Sequence, residues 1–400
     1  MAFKDRMGSA EPEISFSSRR AVESIGSVSG RHDDERYDTA AEASRKFGYG
    51  KCIYSVRTAS GGRTVSIQCR KLFLLSCGIT VERPFLQGAE DSGISETLCS
   101  YHKTFIGAAE KGLLPKPKCI VYTNLACDAN LLTFHRLAEF FDIPVFSIDI
   151  PSAQTPANVS YVATQLRALV PFLEKVTGRT IDESKLKERL ARSRRTLQNY
   201  DKFQSARADK YIPSDLVSPL YSGMTNNILL GTEEEELYTQ KLLEDVSKAP
   251  AKKGRHIYWM HTIPFWSEAV KDALLLKEEA QIVGCELAQV ADITKHSEDP
   301  YEEMALRLVY HALNGPVSRR IEAGIRHAKQ AGADGVVWFN HWGCKHTLGG
   351  SRIAKKRFEE AGIPLLILDG DGCDRSHGGE GQTSTRLGAF LEMLGDFDHE

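Results

Sequence analysis

The chain has 400 residues, with 51 Lys and Arg against 53 Asp and Glu, a formal charge of −2 and 42% hydrophobic residues. That balance excludes a general polyanion binder, whose footprint is basic, and leaves a globular protein long enough for two or three cores. No run approaches the ~18 apolar residues of a membrane helix. Lys4, Asp5 and Arg6 stand at the start with no apolar stretch behind them, so neither a secretory nor a transit signal is visible. The expectation is a cytoplasmic protein with no nucleic-acid and no membrane partner.

Residues 1–45, rich in Ser, Arg and Asp, read as a partly ordered arm, and the first periodic stretch is 39–47. Alternation predicts a strand over 51–56, helical spacing covers 65–77, and a second strand is expected over 80–85, a βαβ rhythm. Ser95 opens a helix toward Gly112, 118–123 is a β-rich run, 130–141 is helical and 144–150 is a strand. This alternation implies a doubly wound parallel sheet over 46–155.

Over 156–250 the pattern changes to long amphipathic helices, with Val162, Leu166, Leu169, Val170 and Leu173 on one face and a charged continuation over 182–200. The acidic run 233–236 reads as a solvated helix start, where carboxylates suit the dipole. Residues 249–254 link to a second α/β domain over 251–400, with strands at 256–260, 281–290, 335–339 and 364–369 and helices at 301–312, 317–331 and 351–361.

The two halves also match each other. VYTNLAC (121–127) precedes a helix, then DIP (142–144) and VFSID (145–149); VWFNHWGC (337–344) precedes a helix, then GIP (362–364) and LLILD (365–369). In each, a cysteine leaves the carboxyl end of a predicted parallel strand, where open α/β sheets place ligands. The offset is roughly 220 residues, which suggests two similar domains whose cysteines Cys127 and Cys344 converge.

An odd count of nine cysteines in a reducing compartment favours metal, catalytic or core roles over disulfides. Cys99, Cys127 and Cys344 fall near predicted helix starts, where the dipole and free N–H groups favour a thiolate. Three thiolates from separate loops suit an iron–sulfur cluster with one iron left open; taken singly, each reads as a small buried residue at a tight turn. Cys52, Cys69, Cys77, Cys119 and Cys285 lie on strands or helix faces and read as core, whereas Cys373, in the loop GDGCD (370–374), is a further candidate for the same crevice. His341 and His346 flank Cys344 as candidate donors of protons or hydrogen bonds, beside the plainer reading of solvated loop residues. No CxxC pair argues for a zinc ribbon, and the Asp369, Asp371, Asp374 cluster departs from a calcium loop because Cys373 occupies a ligand position. GxGxxG, GxxxxGK[ST] and GxSxG are missing from the contexts that would give them meaning.

The stretches ADGVVWFNHWGCK (333–345), AGIPLLILDGD (361–371) and TRLGAFLE (385–392) resemble the C-terminal half of the 2-hydroxyacyl-CoA dehydratase and benzoyl-CoA reductase superfamily; LC (98–99), ACD (126–128), IP (143–144) and DIP (149–151) resemble its N-terminal half. The likeness runs from about residue 50 to the end. It implies two Rossmann- or flavodoxin-like domains with a helical domain between them, holding a [4Fe–4S] cluster through Cys99, Cys127 and Cys344. It further implies an acyl-CoA substrate, a homologous subunit in a hetero- or homodimer, and an ATP-dependent iron–sulfur activator protein that injects one electron. The thioester then becomes a ketyl radical anion that expels the 2-hydroxyl, loses a β-proton and returns the electron as the enoyl thioester forms. The superfamily also holds ATP-coupled reductases of benzoyl-CoA and double-cubane type, which Cys373 keeps open, and a non-catalytic partner or cluster scaffold is the third reading. Two departures stand out: the arm before Tyr49, and QCRK (68–71) where such proteins carry a carboxylate at a helix start.

Overall fold

The computed structural model describes residues 83–216, 219, 229–288, 294–377 and 379–396, together with the short segments 56–57 and 63–64. The expected arm over 1–45 and the helix over 65–77 lie outside them. Strand β1 (Val56–Arg57) pairs antiparallel with β2 (Arg63–Thr64), two residues each, within the region expected to form a βαβ unit, whose helix lies outside the described residues. The strand expected over 80–85 is also corrected, since residues from Arg83 onward open helix α1 (Arg83–Asp91). Pro84 explains the difference: its fixed φ and missing N–H are tolerated in a first helical turn and are poor in a paired strand.

Helix α2 (Ser100–Glu110), strand β3 (Ile120–Thr123), helix α3 (Ala129–Phe141) and strand β4 (Val145–Ile148) follow. The two strands run parallel, from Ile120↔Val145 to Thr123↔Ile148. Phe105, Ala108, Tyr122, Phe134 and Leu137 join α2, α3 and β3 in one core. Helices α1 and α2 approach closely at Gly107, where an added Cβ would sit 2.0 Å from the Phe85 carbonyl oxygen. We therefore expect Gly107→Ala to cost about 1–3 kcal/mol through overpacking, read as a lower urea midpoint at constant m; an unchanged midpoint would show that the helices slide apart freely.

Long helices follow, each with a side-chain cap: α4 (Pro156–Thr177) behind Thr155, α5 (Glu183–Ala206) behind Asp182, and α6 (Glu233–Lys248) behind Thr232. The caps satisfy N–H groups that the helix itself leaves open. The acidic start of α6 is not wholly solvated: Glu233 and Glu236 pair with Arg192, and Glu236 also with Arg195, but Glu235 is fully buried. Helices α5 and α6 pack through Tyr200, Phe203, Leu242 and Val246.

The last part holds β5 (Arg255–Met260), α7 (Glu268–Leu274), β6 (Ala280–Cys285), α8 (Pro300–Val309), α9 (Val317–Gln330), β7 (Gly335–His341), the one-turn α10 (Lys345–Leu348), α11 (Ser351–Glu360), β8 (Leu365–Gly370) and α12 (Glu380–Asp396). All four strands are parallel, in the order β6-β5-β7-β8. Alternate side chains divide between the faces: Ile257, Trp259, Val337 and Phe339 pack with α7 and α12, whereas Tyr258, Met260, Val336 and Trp338 pack with α9 and α11. Strands buried on both faces explain the nearly continuous apolar runs in the sequence. Helix α8 crosses back to pack with α4 beside β4, through Tyr301, Ala305 and Val309. The result is a mixed α/β architecture with parallel sheets and many helices. No described helix is long and apolar enough to cross a membrane.

Candidate functional site

Strands β5 and β7 lie side by side, β5 leading on to β6 and β7 to β8, so the connections from their carboxyl ends run in opposite directions, the place where open parallel sheets form a crevice. Each strand delivers one polar residue to that edge: His261 after β5, Glu286 after β6, His341 at the end of β7 and Asp371 after β8. The imidazoles of His261 and His341 stack across the crevice with centroids 5.8 Å apart. His261 adopts φ +78°, a left-handed conformation rarely taken outside glycine. Its backbone N–H donates to Glu286 Oε2 at 3.0 Å.

The sequence repeat reappears as a repeated geometry. Asn124 Nδ2 donates to Asp149 Oδ1 at 2.6 Å across the ends of β3 and β4, and Asn340 Nδ2 donates to Asp369 Oδ1 at 2.8 Å across β7 and β8. Residues Ala126 and Gly343, each immediately before a cysteine, share the left-handed turn, with φ +67° and +77°. Both turns deliver a cysteine to a helix start, Cys127 just ahead of α3 and Cys344 at the N-cap of α10; Cys99 caps α2.

The turns that carry the three cysteines are linked pairwise through their neighbours. Gly343 lies against Cys99, an added Cβ falling 2.8 Å from the Cys99 backbone N and Cα. Lys345 Nζ reaches Asp128 Oδ2 at 3.1 Å, so the helix starts bearing Cys344 and Cys127 face each other. That exposed pair is a marker of proximity more than a source of stability, and the Lys345 hydrogen bond holds the Asp128 carboxyl below its usual range. All three thiols are partly exposed, while Cys373 and Cys285 are buried. Burial pushes the Cys285 thiol up to about 12, and its Sγ donates to the His261 carbonyl. Cys373 Sγ lies 3.5 Å from Thr104 Oγ1.

Each of these three sulfurs faces an imidazole nitrogen: Cys99 Sγ lies 3.1 Å from His341 Nε2, Cys127 Sγ 3.3 Å from His102 Nε2 and Cys344 Sγ 3.7 Å from His261 Nε2. Sequence reasoning does not single out His102 or His261. The available signals are slight: His102 follows Cys99 by three residues, on the helix that Cys99 caps, and His261 follows a strand end much as His341 closes one. His341 is fully buried. Burial, followed by the Arg320 charge, holds the imidazole of His261 well below its usual range and lowers that of the half-buried His346. Both are therefore neutral near pH 7. Arg320 itself is locked into a buried ion pair with Glu286, its Nη2 2.5 Å from Oε2, and also donates to the His346 carbonyl at 2.7 Å.

Beside Cys99 and Cys344 opens a cleft of about 680 Å³, lined by their neighbours Leu98, Ser100, Gly343 and Lys345 and by Trp342 and Asp371. That size suits a small-molecule or cofactor ligand. Among the described residues no three His, Cys, Asp or Glu side chains converge to hold a single metal ion. A cluster distributes its thiolates over several irons, and the residues that could hold one are the partly exposed thiols Cys99, Cys127 and Cys344, Cys373 being buried.

Parallel strands β3 and β7, each followed by a cysteine at a helix start, define an α/β protein. The chain belongs to the 2-hydroxyglutaryl-CoA dehydratase, D-component family, whose model matches residues 66–394. It is 23% identical over 329 residues to the (R)-phenyllactyl-CoA dehydratase alpha subunit of Clostridium sporogenes, covering 76% of this chain and 79% of that one. To the (R)-2-hydroxyglutaryl-CoA dehydratase subunit alpha of Acidaminococcus fermentans it is 25% identical over 299 residues, 70% of this chain and 61% of that protein. A benzoyl-CoA reductase subunit of Thauera aromatica matches at 20% over 342 residues, with 77% and 79% covered.

Proposed function

We propose that this chain is the cluster-bearing subunit of a 2-hydroxyacyl-CoA dehydratase, removing water from a 2-hydroxyacyl-CoA to give the 2-enoyl-CoA. What supports the reading is the backbone contact of Gly343 with Cys99 and the reach of Lys345 to Asp128, which link the turns bearing Cys99, Cys127 and Cys344 beside a ligand-sized cleft, in a chain of this family. In this proposal those three thiolates hold a [4Fe–4S] cluster. When bound, it supplies single electrons and, at an iron without a protein ligand, a Lewis acid.

The chain's own residues do the rest. The elimination takes a hydroxide from C2 and a weakly acidic proton from C3, so the site needs a proton acceptor and a dry place to use it. His346, next in line after Lys345 and two residues from Cys344, is our candidate proton-transfer group. His341 is buried with both ring nitrogens engaged, and is better placed to position Cys99 than to meet substrate. Trp342, exposed at the cleft, offers an apolar wall to the acyl chain. The relatives are named as subunits, which supports a homologous partner subunit for this chain. An ATP-dependent iron–sulfur activator and a cytoplasmic location complete the proposal. The match to a benzoyl-CoA reductase subunit favours, as second reading, a low-potential reductase.

The test is iron and acid-labile sulfide per chain in protein prepared without oxygen. We expect about four irons in the wild type, as one [4Fe–4S] cluster requires, and loss of most of them in each of Cys99→Ala, Cys127→Ala and Cys344→Ala. Dehydratase activity on 2-hydroxyacyl-CoA with an activator should fall below detection in the same variants. Iron-free wild type, indifferent to all three changes, would overturn the reading; about eight irons would point to a double cubane and the reductase.

A further inference from the structure

The histidines facing the sulfurs are unequal, because the ring orientation of one is fixed by the backbone. The Gly372 N–H donates to His341 Nδ1 at 3.0 Å. Nδ1 is then an acceptor, and in the neutral ring the proton sits on Nε2, 3.1 Å from Cys99 Sγ. The next peptide is anchored too: the Gly372 carbonyl accepts from Tyr101 Oη at 2.8 Å and from Trp266 Nε1 at 3.1 Å. An added Cβ at Gly372 would fall 2.7 Å from the Tyr101 hydroxyl and 2.8 Å from Thr262 Oγ1. Asp371 holds the same loop, one carboxylate oxygen accepting from Ser100 Oγ at 2.6 Å and from the N–H groups of Cys373 and Asp374 at 2.7 Å each. Three elements, α2, the β5 exit and the β8 exit, thus aim one N–H at one sulfur.

We propose that His341 is a positioning residue whose Nε2–H hydrogen-bonds the Cys99 thiolate and raises the reduction potential of the cluster held there. The inference rests on the cluster reading above. Reduction adds negative charge that spreads onto the thiolate sulfurs, and a fixed donor at one of them stabilises the reduced form more than the oxidised form. The donor is fully buried, so solvent reaches the pair only from the side of the partly exposed sulfur. His102 and His261 stand in the same relation to Cys127 and Cys344, at 3.3 and 3.7 Å. Their Nδ1 atoms meet the hydroxyls of Thr133 and Thr262, at 2.5 and 3.2 Å, and a hydroxyl either donates or accepts, so it does not dictate where the ring proton sits.

The test compares His341→Gln, which retains an N–H donor, with His341→Met, of similar length and without one. Iron content is counted first, then the midpoint potential is measured by EPR-monitored redox titration of the full-length protein prepared without oxygen. Expected are wild-type iron in both variants, a potential near wild type for Gln, and for Met a reduced form disfavoured on the order of tenfold, which for one electron is ~59 mV. Loading of the Gln variant alone would equally support the donor. Both variants loaded with the same potential would overturn the inference and leave the cluster reading standing, as would failure of both to load beside a loaded wild type. Iron-free wild type would overturn both.

Discussion

Replacing Arg320 by methionine is expected to cost about 3–5 kcal/mol of stability, because it leaves a buried carboxylate without its partner. The side chains of Arg320 and Glu286 are 3% and 7% exposed, and they meet through two parallel hydrogen bonds. Glu286 also accepts the His261 N–H, and Arg320 donates to the His346 carbonyl. The pair therefore ties the exits of β5 and β6 to α9 and to the turn that follows Cys344. Urea unfolding of Arg320→Met at pH 7 checks this through its midpoint at constant m. The double variant Arg320→Met/Glu286→Met should regain much of the loss, since no lone charge then remains inside. A single-variant cost below about 1 kcal/mol would mean that water already reaches the pair, as in an exposed ion pair.

Glu235→Gln, by contrast, is expected to stabilise the protein. The Glu235 carboxyl is fully buried on α6 with neither oxygen hydrogen-bonded among the described residues, and burial alone pushes it up from 4.5 to about 8. Below pH 4.5 the group is protonated in both folded and unfolded chains and costs nothing through ionisation. Above that pH the unfolded chain releases its proton while the fold retains it, so stability falls by about 1.4 kcal/mol per pH unit until the folded group also titrates. The gain from the substitution should therefore be near zero at about pH 4 and reach roughly 3 kcal/mol at about pH 7. Paired urea titrations of wild type and variant across that range measure it. A gain independent of pH would show that ionisation is not its source.

The strands of the second sheet are legible because runs such as VVWF and LLIL are flanked by glycine or proline and buried on both faces, as parallel strands require. The strand expected over 80–85 fails at Pro84, where an apolar run of ambiguous period reads as β structure although proline opens a helix. Glu235 is hidden inside an acidic run whose neighbours do face solvent and arginines. Cys99, Cys127 and Cys344 can be singled out because the signal, a cysteine at a strand exit or helix start, is local. Their histidines cannot: Cys127 meets His102 across 25 residues, Cys344 meets His261 across 83, and Cys99 meets His341 across 242. Such pairings depend on which strands lie side by side, and the order β6-β5-β7-β8 is not written in any one segment. His341 stands out in the sequence as a neighbour of Cys344, yet its ring is turned to Cys99.

Gly343 touches the Cys99 backbone with no side chain between them. The approach of the Cys344 turn to Cys99 is thus a main-chain dimension, insensitive to the identity of the residues that line the cleft. Trp342 and Leu348, both exposed on that lining, can be exchanged for larger or smaller groups without altering the span. The walls of the cleft and the approach of the two turns are in this way separable traits: the walls can drift while one hydrogen atom, where any other residue would carry a carbon, keeps the two backbones to gauge.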